Sequence, residues 1–275
     1  MSIIEEIFSY AFLSRAFLVG LLVSISASLI GVSLVLRRYS MIGDGLSHVG
    51  FGALGVASFF SLAPMVVTLP VVSIAAIFLL HLSQRSKSGD GYIALISSGS
   101  LALGVIAVSL GGVNTDLNAF LFGSILAVSK TDAILSIVLS AVTMCAYIFF
   151  YNQIYITTFD PAFSKATGIK TERYTLLLSM LTAIIVVIGM RMLGSLLISS
   201  LIIFPSMTAM KIARSYKNVT IISALESAIA FIIGFFISYE YSLPTGASIV
   251  VIHMIIYVIA LSYGFIRSRA RKMLP

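Results

Sequence analysis

The stretch Met41-Ile-Gly-Asp-Gly-Leu-Ser-His48 sets a carboxylate and an imidazole four residues apart at the start of an apolar run. On a helix, positions i and i+4 share one face a turn apart, so Asp44 and His48 lie together. Both side chains ligate divalent cations, and hard oxygen with borderline nitrogen suits Zn²⁺ or Mn²⁺ and disfavours Cu⁺. Nearly everything around them is hydrocarbon, where an ionisable pair is costly and reads first as functional. The bland alternative is a helix start, with Asp44 facing the positive helix end and His48 bonded to a backbone carbonyl. Two ligands do not close a tetrahedral site, but two copies of the chain across a two-fold axis would supply four. A transport site must also release its ion, so a partial shell is compatible with that role. Gly43, Gly45, Gly50 and Gly52 flank the pair and permit close helix approach.

Other polar residues fall within or beside apolar runs. Glu226 lies about two turns into one of them and is expected to pair with a base or take a proton, pairing being the simpler role. His253, in the last run, reads as a packing histidine before it reads as a ligand. Both are candidate polar residues along a pathway. Arg191 sits at a run's end and is expected to snorkel. His81 suits a negative helix terminus. Cys145, the only cysteine, stands in an apolar run; it excludes an internal disulfide and is expected to be a buried thiol.

The elements that position these residues follow from composition. Of 275 residues, 59% are hydrophobic and 10% charged, against roughly 25% charged in soluble domains. Mean hydropathy is +1.11. This is a polytopic membrane composition. About nine apolar segments are legible, at 12–36, 42–61, 64–82, 92–112, 133–151, 174–193, 195–213, 219–238 and 245–266, most near the roughly 20 residues needed to cross hydrocarbon. Segments 64–82 and 195–213 fit broken or tilted helices, so eight or nine spans are expected. With no Trp, anchoring falls to the 12 Tyr and to Lys/Arg.

The net charge of +7 does not point to nucleic acid, because the basic residues punctuate the apolar runs and form no face. Arg37, Arg38, Arg85, Lys87, Lys165, Lys170, Arg173, Arg214, Lys217, Arg267, Arg269, Arg271 and Lys272 fall on one side if the N-terminus is outside and the C-terminus cytoplasmic. Glu5 and Glu6 argue against a cleavable signal peptide. The amphipathic stretch Asp116–Lys130 is expected to be an outer interfacial or re-entrant helix. No linker divides the chain, so residues 1–275 read as one transmembrane domain.

The loop Thr157–Arg173 reads TTFDPAFSKATGIKTER. Asp160 is a fitting N-cap, Pro161 suits the first helical turn, and Gly168 ends the helix. Ala162, Phe163, Ala166 and Ile169 form a small apolar stripe. Such a helix fits a lipid surface or a groove on a cytoplasmic partner equally well. No GxxxxGK[ST] loop, HExxH or GxSxG is present, so no enzyme activity and no catalytic residue is expected of this chain itself.

Taken together, LVLRRYSMIGDGLSHVGFGALGVA (34–57), FLFGSILAVS (120–129), TTFDPAFSKATGI (157–169), MLGSLLISSLIIFPSMTAMKIA (192–213) and LPTGASIVV (243–251) resemble the zinc/manganese-type (ABC-3) permeases of bacterial metal ABC importers over nearly the whole chain. The resemblance implies an all-α, type II ABC importer-like permease in the bacterial cell membrane. It implies a permease homodimer, two copies of a cytoplasmic ATP-binding subunit and an extracellular metal-binding protein. Asp44 and His48 match the family's intramembrane metal ligands. Asp160, Pro161, Ala162, Phe163, Ala166 and Gly168 match its coupling helix, at about 158–169, which favours the partner over the lipid. Pro205 matches a proline in a kinked span. Glu226 and His253 are not expected from the family pattern.

The implied function is ATP-driven import of a divalent transition metal, Zn²⁺ first because GDGLSHVGFGALG is closer to the zinc side, Mn²⁺ second. The metal is cargo and no bound cofactor is expected. The rivals are a metal-coupled secondary transporter that needs no ATPase and a non-transporting membrane scaffold.

Overall fold

The computed structural model describes residues 9–85, 89–111, 123, 129–195 and 197–273. The N-terminal Glu5 and Glu6, Lys87, and the stretch Asp116–Lys130 apart from residues 123, 129 and 130 lie outside the described residues. Every described element is helical. In chain order these are α1 (Ala11–Leu36), α2 (Ile42–Phe59), α3 (Pro64–Arg85), α4 (Gly89–Leu110), α5 (Lys130–Phe149), α6 (Tyr151–Phe159), α7 (Pro161–Ala166), α8 (Thr171–Leu193), α9 (Ile198–Ile212), α10 (Tyr216–Glu240) and α11 (Thr245–Met273).

A helix lies over each of the apolar segments read from sequence. Among the described residues, 7 helices are long and apolar enough to cross a membrane: α1, α3, α4, α5, α8, α10 and α11. The two that fall short of the expected eight or nine are α2 and α9. Asp44, His48 and several glycines dilute α2, and α9 has only 15 residues. Segment 64–82 is one continuous helix despite Pro70, whereas α9 follows a buried break at Gly194 and Ser195.

The interior is built around α1 and α8, whose apolar stretches are 72% buried, against 22% for α4 and α11. On one side α2 packs between α3 and α4; on the other, α9, α10 and α11 pack on one another, with α9 and α10 also on α1, and α5 lies against α1 and α8. Apolar burial does not separate core from lipid here, so close packing of small residues must hold the helices together. A Cβ on Gly52 would meet the Ser100 carbonyl oxygen at 2.5 Å, and one on Gly55 the Gly104 oxygen at 2.6 Å, so α2 and α4 touch backbone to backbone. A Cβ on Gly31 would likewise run into the Ile202 carbonyl of α9. The Ser227 hydroxyl donates to the Ser24 carbonyl at 2.8 Å, tying α10 to α1.

Helix ends follow local chemistry. Ser129 and Ser215 cap α5 and α10 by accepting from the Asp132 and Asn218 amides. Gly194, at φ +93°, ends α8 in a conformation that L side chains rarely adopt.

Two expectations are corrected. Cys145 is exposed, continuing the outward stripe of Ile134, Val138 and Val142 on α5, so its apolar surroundings are the bundle's exterior. Arg191 does not merely snorkel: it donates to both carboxylate oxygens of Asp132 on α5, at 2.8 and 3.0 Å.

Candidate functional site

The start of α2 carries Asp44 and His48 one turn apart, as the spacing predicts. His48 Nε2 stands 3.7 Å from Asp44 Oδ1, too long for a hydrogen bond. Two ligands each roughly 2.1 Å from one ion can span that gap. The His48 side chain is 12% exposed and that of Asp44 34%, so both are reachable without facing bulk solvent fully. His48 Nδ1 is buried without a hydrogen-bond partner. The backbone-carbonyl partner of the bland alternative is therefore not found at that nitrogen. Asp44 does lie in the first turn of a helix whose N-cap, Met41, offers no side-chain bond. Among the described residues, no third His, Cys, Asp or Glu joins the pair. The described residues thus offer Asp44 and His48 alone at this place. The surrounding helix faces are tight: a Cβ on Gly43 would touch Ile202, and one on Gly45 would press on Ile93 at 2.6 Å.

The loop after α5 folds as its residues dictate. Asp160 Oδ1 accepts from the Phe163 amide at 2.8 Å, Pro161 opens α7, and Gly168 at φ +81° closes it. The Ile169 and Gly168 amides donate to the Ser164 and Lys165 carbonyls, a double-bonded glycine cap. Phe163 is 56% exposed while Ser164 is buried and accepts from the Thr171 hydroxyl at 3.2 Å. One face of α7 is therefore pinned to the bundle and the other is free. A cleft of about 410 Å³ lies alongside, lined in part by Gln153, Gly168, Lys170 and Arg173.

Glu226 and His253, 27 residues apart, are brought together between α10 and α11. His253 Nδ1 lies 3.0 and 3.1 Å from the two carboxylate oxygens, with the ring stacked on Phe204 of α9. The pair is far from solvent, with side chains 0% and 5% exposed, and His253 Nε2 has no partner. Between the two ionisable pairs stands α9, which touches α2 on one side and α10 and α11 on the other.

Sequence reasoning missed Arg37, which it read only as a topology-setting charge. Its guanidinium donates to Thr157 (3.0 Å), Thr158 (3.4 Å) and Thr175 (3.1 Å). Burial draws it below the ordinary arginine value. Three threonines some 120 to 138 residues away give no local signal of this. It also missed a buried hydroxyl cluster, in which Tyr216 OH lies 2.8 Å from both Tyr147 OH and Ser33 Oγ.

Fold and site define a multi-pass α-helical membrane protein with ionisable groups held inside the bundle. Residues 9–264 match the ABC 3 transport family, and the chain belongs to it. It is 29% identical over 258 residues to the manganese import system permease protein ScaB of Streptococcus gordonii, covering 94% of this chain and 93% of that one. It is 29% identical over 254 residues to the high-affinity zinc uptake system membrane protein ZnuB of Haemophilus influenzae, covering 92% and 97%. A solved structure, PsaBC from Streptococcus pneumoniae in complex with Fab, superposes with a TM-score of 0.84 at 31% identity, over 94% of this chain and 93% of that one.

Proposed function

We propose that this chain is the membrane-spanning permease subunit of an ATP-driven importer of a divalent first-row metal, Mn²⁺ or Zn²⁺. The observation that carries the reading is the Asp44–His48 pair, an oxygen and a nitrogen ligand 3.7 Å apart on an interior helix of an ABC 3 family bundle. The zinc preference read from GDGLSHVGFGALG is set aside in favour of Mn²⁺ first, since ScaB, named for manganese, matches as well as ZnuB. Zn²⁺ stands second on the strength of ZnuB.

In this reading nine segments span, with α2 and α9 crossing as buried members of the bundle beside the seven long apolar helices. The N-terminus lies outside and the C-terminus in the cytoplasm of a bacterial cell. An extracellular metal-binding protein delivers the ion, and two permease copies place their Asp44–His48 pairs around a shared path. The ion rests there briefly. Two copies of a cytoplasmic ATPase engage the free face of α7, from Asp160, Pro161, Ala162 and Phe163 through Ala166 to Gly168. ATP-driven closure of these partners moves α7 and opens the inner side. Glu226 and His253 act as a clasp between α10 and α11.

The test is radiolabelled Mn²⁺ and Zn²⁺ uptake into proteoliposomes holding this chain with its ATPase, binding protein outside and ATP inside. ATP-dependent uptake that His48→Ala and Asp44→Ala abolish is the expected result, and the faster ion names the cargo. Uptake untouched by either substitution would reduce the pair to packing. Uptake without ATP would make the chain a secondary transporter.

A further inference from the structure

Residues 37–41 join α1 to α2, and the metal pair stands just beyond them. Backbone hydrogen bonds brace this connection at both ends. The Arg37 amide donates to the Ser33 carbonyl, Arg38 to Val35, Tyr39 to Leu34, Ile42 to Tyr39 and Gly45 to Met41, at 2.8 to 3.1 Å. Arg38 holds φ at +64°, a left-handed conformation that a side-chain-bearing residue keeps only when its surroundings impose it. A turn so constrained moves as one piece with the first turn of α2.

The Arg37 side chain leaves this turn and grips the helices on either side of α7. Thr157 and Thr158 close α6, which runs into α7 through Asp160, and Thr175 lies in the first turns of α8, which follows α7. Each α6 threonine spends its own proton on a carbonyl one turn back, Thr157 on Gln153 at 2.8 Å and Thr158 on Ile154 at 2.6 Å. Their oxygens are thus left as acceptors for the guanidinium. Among the described residues no carboxylate pairs with Arg37, whereas Arg191 has one. A cation held only by neutral hydroxyls can exchange one oxygen for the next without breaking an ion pair. The planar fork is needed as well, since several fixed donors must reach several acceptors at once and a lysine ammonium lacks that geometry.

We propose that Arg37 is a positioning residue that transmits movement of α6 and α7 to the α1–α2 turn, and so to Asp44 and His48. The proposal rests on the reading of α7 as the helix that engages the ATPase. It assigns to Arg37 a role distinct from both metal binding and ATPase docking.

The experiment assembles the full complex in proteoliposomes and measures ATP hydrolysis and Mn²⁺ uptake in the same preparation. Arg37→Met is expected to keep hydrolysis within twofold of wild type while uptake per ATP falls at least tenfold. Arg37→Lys should fall in between. An unchanged uptake per ATP in Arg37→Met overturns the proposal, and so does an equal fall in hydrolysis and uptake. Should Arg37→Met not assemble, the Thr157→Val/Thr158→Val double variant, which keeps the cation and removes two acceptors, is held to the same two criteria. Phe163→Ala tests the α7 reading separately. Normal ATPase assembly in that variant sinks the α7 reading itself, and absent ATP-driven uptake in wild type sinks the proposed function.

Discussion

His253 on α11 faces both carboxylate oxygens of Glu226 on α10, at 3.0 and 3.1 Å, and the pair is sealed from solvent. Removing one member strands the other in an apolar interior. His253→Leu alone is expected to cost about 3–5 kcal/mol of stability, measured by unfolding in detergent. The Glu226→Met/His253→Leu double variant should recover to within about 1 kcal/mol of wild type, because an apolar pair of similar volume carries no desolvation penalty. It should also import metal at the wild-type rate. A stable double variant that no longer imports would make the pair part of the ion's path.

The backbone contact of α2 with α4 sets a second expectation. Gly52→Ala and Gly55→Ala place methyl groups against the Ser100 and Gly104 carbonyls, and each should cost about 1–3 kcal/mol. Gly99→Ala, also on α4, meets nothing within 4 Å and should be neutral or slightly stabilising. Equal effects at Gly55 and Gly99 would contradict the packing.

Arg191 and Asp132 form a two-pronged bridge with both side chains 27% exposed. Ser129 Oγ donates to the same carboxylate at 2.8 Å, so the acid is held from two sides. A double-mutant cycle of Arg191→Ala with Asp132→Ala should return a coupling of about 1 kcal/mol. A coupling near zero would mean that the bridge contributes nothing to joining α5 and α8.

Asp160→Ala removes the cap of α7. The loss should be local, about 1 kcal/mol, with faster hydrogen exchange at the Phe163 amide and an unchanged melting temperature for the bundle. ATP-dependent uptake should fall, because a frayed α7 presents Phe163 less well. Unaltered exchange at Phe163 would mean that Asp160 does not hold the start of α7.

The helices were legible because crossing hydrocarbon demands long apolar runs, and α7 because Asp160, Pro161 and Gly168 act locally. Contacts between distant residues were not. Nothing near Glu226 in the chain announces His253, and nothing near Arg37 announces Thr157. Cys145 was misplaced for a different reason: in a membrane bundle an apolar run faces either the interior or the outside, and hydropathy is the same for both. The separate helix α6 was hidden because the preceding span read as ending at 151 and Thr157 as already in the loop, and the few residues between carry no cap of their own. Asp44 and His48 stood out because α2 offers few other polar groups.

The dilution of α2 by Asp44, His48 and glycine also bears on how the protein is made. A segment so diluted gains less from hydrocarbon contact than its neighbours do. Gly45, Gly52 and Gly55 are packed only when α4, made later, lies against them. The helix bearing Asp44 and His48 therefore reaches its final place during assembly and not on emergence. Synthesis halted before α4 should yield a chain in which α1 is inserted and α2 is not yet held in place.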